Sequence, residues 1–467
     1  MDGWSSIALV VSGLHQGGVK LNRPNPEPGS EANEPSKVVG HPSLKLGLRE
    51  NWWQFTLFTL ITLLIGMTIG VERVALPPLA KHAFGVTSVL YTVSFISAFG
   101  LVKSVMNLVA GRLSDRRGRK VILLVGWGFA LPYALIIIFA IAWWQVIVAN
   151  LFLGVNQALT WTMSVTAKID LVGPVNRGLA VGVDESAGYV GVGVGGFLSG
   201  LLVASYGLRP APYLLALGVV VVGALVTLGP AKETLPFAQS ENASHQAGTK
   251  ALAAPKLTRL GAYMSWHDRS MLAVCQAGFV NKFADSLVAA FFPLYLLGKG
   301  VSLADIGLLV GVYAWVWGLG QVASGALADR IGRKLPITLG TFLLAVGLAI
   351  FASTNIHLVW IVAMVLMGVG MALSYPNLIT TVGDTADPRW RGGALGIYRL
   401  WRDGGYAIGP LLLGVVAVFA GIHSAVWVGS GLLALSGVIL LTLFKETDPK
   451  RRKVEPAWIT HPEWVSP

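Results

Sequence analysis

Ten ionisable residues stand inside stretches otherwise built from Ala, Val, Ile, Leu, Phe and Gly: Glu72, Arg73, Lys103, Asp184, Glu185, Lys282, Asp285, Arg399, Arg402 and Asp403. A charge in such surroundings is costly, so each marks a position where the charge is used. The carboxylates Glu72, Asp184, Glu185, Asp285 and Asp403 are candidate proton carriers, because a carboxylate held away from water can be neutralised by taking up a proton. Arg399 and Arg402 are three apart and share one helical face. Their planar forks suit a carboxylate or phosphate, so with Arg73 and Lys282 they are candidates to hold an anionic or zwitterionic substrate. Trp161, Tyr375 and Tyr398 are candidates to contact its apolar part. The competing reading is structural: Glu72–Arg73 and Arg402–Asp403 are adjacent opposite charges, as buried neutralising pairs would be. At about 1.5 Å per residue, Arg402 and Asp403 lie roughly 17 Å beyond Arg391, near a bilayer midplane, with Asp285 at similar depth in its own segment. Asp184 and Glu185 are shallower, about 10–12 Å beyond Arg177.

These residues must be positioned by elements that live in lipid. The chain is 54% hydrophobic and 12% charged, against about 45–50% and about 25% for soluble domains. Twelve apolar blocks approach the roughly 20 residues that cross a bilayer. They include 271–297 (seventh), 393–419 (eleventh) and 424–444 (twelfth). None shows strict alternation, so they are read as helices. The fold class is an all-α polytopic membrane protein with twelve transmembrane helices.

The expected organisation is a disordered tail over 1–50, six helices over 51–230, a polar connection over 231–270, six helices over 271–446 and a tail over 447–467. Of 35 Lys and Arg, 26 fall in the tails and alternate loops. Positive loops stay inside, which puts both termini in the cytoplasm and the chain in the plasma (inner) membrane, with the lipid bilayer and its anionic headgroups as partner. Charge spread over short loops excludes a nucleic-acid groove. Cys275 is the only cysteine and the eight histidines are scattered, so no metal site is expected. With no nucleotide-binding loop and no catalytic constellation, neither an enzyme nor a cofactor is expected, and the chain is read as a monomer.

The sequence also repeats itself. "GRLSDRRGRK" at 111–120 returns as "GALADRIGRK" at 325–334, an offset of 214 that also relates Asp170 to Asp384, Arg177 to Arg391, Gly178 to Gly392 and Gly182 to Gly396. Two six-helix pseudo-repeats with one orientation place a substrate site where the halves meet. In Gly111, Leu113, Asp115, Arg116, Gly118, Arg119 and Lys120, and again in Gly325, Leu327, Asp329, Arg330, Gly332, Arg333 and Lys334, the chain resembles the major facilitator superfamily of secondary transporters over residues 51 to 446.

That resemblance implies alternating access for a small solute, most simply coupled to protons. It also implies a gate in which Asp115 and Arg119 meet the start of the eleventh span near Arg391, and Asp329 and Arg333 meet the fifth near Arg177. Helix 5 carries Val192 where the family's exporter signature has proline, and Asn150 replaces the fourth-span arginine of proton-coupled drug exporters. These departures set uptake of an organic anion beside export of drug-like or toxic compounds. Metal-ion export ranks below both, and a receptor or scaffold without transport ranks last.

Overall fold

Apolar blocks in lipid satisfy their backbone groups internally, and the computed structural model, which describes residues 44–86, 89–245, 255–301 and 303–465, contains only helices as regular elements among them. The first half is α1 (Trp52–Phe84), α2 (Val89–Arg117), α3 (Arg119–Phe139), α4 (Trp143–Val172), α5 (Arg177–Tyr206) and α6 (Ala211–Leu228). The connection carries α7 (Leu235–His245), α8 (Leu257–Ala262) and a π-turn, Tyr263–His267. The second half begins with α9 (Arg269–Ser286) and α10 (Phe292–Gly298), joined by a π-helical turn at Leu287–Phe291. It continues through α11 (Leu303–Ile331), α12 (Lys334–Ser353), α13 (His357–Thr385) and α14 (Arg391–Leu443); α15 (Ala457–Thr460) lies in the tail.

Among the described residues, nine helices are long and apolar enough to cross a membrane. α14 counts as two passes, because Gly421 turns the chain inside it at φ 83°, a left-handed conformation that glycine adopts without a Cβ penalty. The polar exceptions are α2, with Lys103 and Asn107, and α9, with Asn281, Lys282 and Asp285. Their polarity faces the interior, where it finds hydrogen-bond and ion-pair partners. Outward faces are apolar, with Phe139, Ile141, Phe197, Val418 and Phe419 exposed as a lipid-facing surface requires. Exposed Trp52, Trp53 and Trp144 sit at helix ends, the interfacial level that indole favours.

Three expectations change. The connection over 231–270 is helical over Leu235–His245, Leu257–Ala262 and Tyr263–His267, where Phe237, Leu260, Tyr263 and Met264 bury their side chains. The disorder expected through residue 50 does not cover 44–50: the Gly47 N–H donates to the Leu171 carbonyl at 3.0 Å, while 1–43 lie outside the described residues. The single helix expected over 271–297 is interrupted by the π-turn that follows Asp285 and Ser286, a distortion frequent at functional sites.

The halves meet where α2 packs on α14 and α5 on α11. Both crossings need glycine: a Cβ on Gly111 would lie 2.1 Å from the Gly392 carbonyl oxygen, and one on Gly325 2.1 Å from that of Gly178. The offset of 214 therefore repeats a contact as well as a motif. Gly325→Val should force α11 off α5 at this end, costing about 1–3 kcal/mol of the closed contact. A cysteine introduced at Leu179 would report this by faster alkylation in membranes, and an unchanged rate would show that the crossing tolerates the bulk.

Candidate functional site

Each motif acid is carried by the last turns of one helix to the first turn of another. Asp115, at the end of α2, accepts the backbone N–H groups of Gly392 (3.1 Å) and Gly393 (2.8 Å) at the start of α14. Asp329, at the end of α11, accepts those of Gly178 (3.0 Å) and Leu179 (2.9 Å) at the start of α5. Helix N-termini carry free donors and partial positive charge, so a carboxylate there is favourable. Arg119 joins Asp115 (3.2 Å) to Asp170 (2.9 Å), and Arg333 joins Asp329 (2.7 Å) to Asp384 (2.9 Å). Arg391 reaches Asp170 at 3.1 Å and Arg177 reaches Asp384 at 3.4 Å. Arg119, Arg177, Arg333 and Arg391 are all buried.

One residue stands outside this mirrored pattern. Glu241, from α7 in the connection, takes Arg391 on both carboxylate oxygens (2.9 and 2.8 Å) and Arg177 on Oε1. It thereby ties together the first residues of α5 and α14, which belong to opposite halves. Burial pushes its carboxyl up, but Arg391 and then Arg177 outweigh that and hold it at about 2. A depressed value means that the ionised clasp stabilises this end at all pH above the ordinary carboxylate range and is lost only as pH falls through about 2.

Deeper in, the helices bring most of the candidate residues between the halves. Arg402 pairs with Asp403 at 2.7 Å and donates to the Tyr375 hydroxyl at 2.9 Å. Asp403 also accepts from Asn107 of α2 at 2.7 Å, and Asn107 accepts from Thr162 of α4 at 2.8 Å, so the chain of contacts crosses from one half to the other. Arg399 pairs with Glu185 of α5 at 3.2 Å; its Nε and Nη1, and Glu185 Oε2, have no hydrogen-bond partner among the described residues. Lys282 pairs with Asp285 at 3.0 Å, and its ammonium lies 5.1–5.5 Å from the ring centroids of Trp317, Tyr375 and Tyr406. Lys103 lies 5.4 Å from the ring of Trp161. Trp161, Tyr189, Trp317 and Tyr375 form one aromatic group, closest at 4.0 Å between Tyr189 and Trp317. Arg73 is exposed yet within electrostatic reach of Tyr189, Asp285 and Tyr406 from other helices, so it lines open space between the halves. Glu72 is buried beside it, nearest in charge to Arg73 and Lys103.

Two candidates are placed differently. Asp184 pairs with Lys168 at 2.8 Å and accepts from Thr62 at 2.7 Å, wholly within the first half and fully buried, away from the group between the halves. Tyr398 packs against Gly278 of α9, and its ring is not part of the aromatic group. Arg399 and Arg402 share a helical face but hold separate partners.

Two stretches, residues 58–281 and 274–466, match the family model described as Major Facilitator Superfamily. The chain belongs to that superfamily. This facilitator is 22% identical to an uncharacterized MFS-type transporter of Methanocaldococcus jannaschii over 76% of its own length and 89% of the relative's. It is 27% identical to the multidrug resistance protein MdtG of Proteus mirabilis over 72% and 80%. Among solved structures it superposes on the human organic anion transporter MFSD10 with a TM-score of 0.66 at 18% identity, covering 83% and 98% of the two chains. It superposes on a double-Trp variant of XylE with a TM-score of 0.70 at 13% identity, covering 88% and 98%. Both likenesses carry the all-α facilitator fold. The protein is a membrane-embedded transporter.

Sequence reasoning missed several residues of this facilitator. Glu233 accepts the N–H groups of Arg119 and Lys120, and Glu446 those of Arg333 and Lys334, all at 2.8–3.1 Å. A signal was present, since both sit in a Lys-Glu-Thr-x-Pro stretch that the two halves share. Glu241 had none, being unrepeated. Lys168, Tyr189 and Trp317 take their meaning from tertiary neighbours alone.

Proposed function

We propose that this facilitator carries an organic anion with an aromatic or apolar body, coupled to protons, by alternating access between its halves. One observation carries the reading: five cations, Arg73, Lys103, Lys282, Arg399 and Arg402, meet four acids, Glu72, Glu185, Asp285 and Asp403, around the aromatic group. The excess is positive, and an incoming carboxylate would complete it. Arg399, with spare donors, and Arg402, stacked on Tyr375 at 5.2 Å, are the grips. Lys282 and Asp285 are the coupling pair. The mirrored Asp115 and Asp329 contacts, with Arg119, Arg333, Arg177 and Arg391, are the gate, closed here and opened when the halves part. On this reading the basic face is cytoplasmic, as are both termini, in the plasma (inner) membrane of a cell that uses the protein as a monomer.

The multidrug resistance protein among its relatives supports a second reading, export of drug-like compounds, for which the aromatic surface would suffice. Flux into proteoliposomes separates the two, using aromatic carboxylates and aromatic amines with and without a pH gradient. Arg402→Lys keeps the charge and loses the planar fork, so carboxylate flux should fall by about tenfold or more while folding is unchanged. If only amines move, and Arg402→Lys transports normally, the anion reading is wrong and the exporter reading stands.

A further inference from the structure

The C-terminal segment returns to the basic face of the second half. Trp458 Nε1 donates to the Thr385 carbonyl at 2.7 Å and its ring meets Trp390 at 5.6 Å. Trp464 lies between two imidazoles, stacked at 5.6 Å on His267 and 4.2 Å on His461. Val465 is buried. Together with the start of α9 and the end of α14, this segment walls a cavity of about 450 Å³ whose lining includes none of the charged residues placed between the halves.

The lining holds three acids, Asp268, Glu446 and Glu455, and three permanent cations, Arg269, Lys445 and Arg452, and each acid is already engaged within the protein. Asp268 caps α9 through the N–H groups of Ser270 and Met271 and accepts the Tyr263 hydroxyl. Glu446 is occupied by the backbone N–H groups of Arg333, Lys334, Thr447 and Asp448. Glu455 pairs with Arg452 at 2.8 Å. That leaves Arg269 and Lys445, which line the cavity and form no ion pair among the described residues, with His267 beside them and His461 held by Glu463 at 3.2 Å. Thr447 Oγ1, also in the lining, is buried without a hydrogen-bond partner. A positive-inside bias accounts for basic residues on this face, but not for their convergence on a walled cavity with an orphaned hydroxyl.

We infer that this cavity binds a phosphate monoester or diester, with Arg269 and Lys445 on its oxygens and Thr447 donating to it. The volume is larger than a bare phosphate needs and suits a phosphate with a small polar substituent. An anionic lipid headgroup and a soluble phosphate ester share that chemistry. Because Trp390 immediately precedes Arg391, an occupied cavity would also hold the returning segment against the first turn of α14.

The test uses the full-length protein. Glycerol 3-phosphate is titrated in detergent, with Trp fluorescence and thermal midpoint as readouts. In parallel, midpoints are compared in phosphatidylcholine nanodiscs with and without phosphatidylglycerol. Saturable binding is expected, weakened at least about tenfold in Arg269→Gln/Lys445→Gln, since each lost charged hydrogen bond is worth about 1.5–3 kcal/mol. Thr447→Val, which keeps every charge and barely changes shape, should weaken it severalfold and keeps the test decisive if the double variant misfolds. A response to phosphatidylglycerol alone supports the site with lipid as its source; a response to glycerol phosphate alone supports it with a soluble ester. No response to either, or equal responses in wild type and both variants, overturns the inference.

Discussion

Asp285→Asn should abolish transport driven by a pH gradient while leaving substrate exchange at equal pH on both sides largely intact. Asparagine preserves the shape of the side chain but carries neither the charge that holds Lys282 nor a titratable proton, so it resembles the protonated acid permanently. In the present arrangement Asp285 holds Lys282 at 3.0 Å, and three aromatic faces surround the same ammonium. Such faces stabilise a desolvated cation by about 2 kcal/mol or more. When Asp285 is protonated, Lys282 therefore stays where it is and becomes available to an anion. On the proposed coupling, proton and anion then enter together. The π-turn directly after Ser286 loosens the helix at this level. Flux measured with and without a pH gradient, in the same vesicles, decides the matter. A variant that still concentrates substrate moves the proton to Glu72, the other buried acid close to Arg73.

Glu241→Gln should open the basic end of the protein. In the closed state one carboxylate satisfies two buried guanidiniums from opposite halves; the amide leaves both under-compensated, although Asp170 and Asp384 remain. Removing one member of a buried ionic contact costs about 3–5 kcal/mol. With the surviving partners, the lower figure applies, roughly a hundredfold in the open-to-closed ratio. Cysteines placed at Leu113 and Leu395, near the α2–α14 crossing, would cross-link less and alkylate faster. Because the wild-type carboxyl is held at about 2, the clasp itself should not respond to pH between 5 and 8. A pH-dependent opening in that window would have to come from another acid, and wild-type accessibility in the variant would remove Glu241 from the gate.

The parts of this design that obey a period were legible in the sequence. Apolar runs gave the helices, and the offset of 214 related Asp115 to Asp329; that these acids meet the chain near Arg391 and Arg177 was implied by the family resemblance alone, and the backbone donors they find there are those of Gly392, Gly393, Gly178 and Leu179. Helical rise alone put Arg402 and Asp403 deep in the membrane, where they meet Asn107 and Tyr375. What could not be read depends on partners brought together by folding. Lys168 stands at the end of a span, where a lysine usually reaches for headgroups, yet it is fully buried on Asp184. Tyr189 and Trp317 lie 128 residues apart and become one aromatic surface only when α5 crosses α11. The repeat within the connection ends with the stretch around Glu233 and does not reach Glu241, so nothing in the sequence set Glu241 apart.

Glu241 also breaks the equality of the two halves. An ancestral pair of identical six-helix units could form both aspartate contacts, but a carboxylate in the linker exists only after the two units are fused into one chain. It is held unequally, by both oxygens to Arg391 and by one to Arg177. Fusion thus adds to the two mirrored contacts a third tie that separate units could not make, since the residue that forms it belongs to neither.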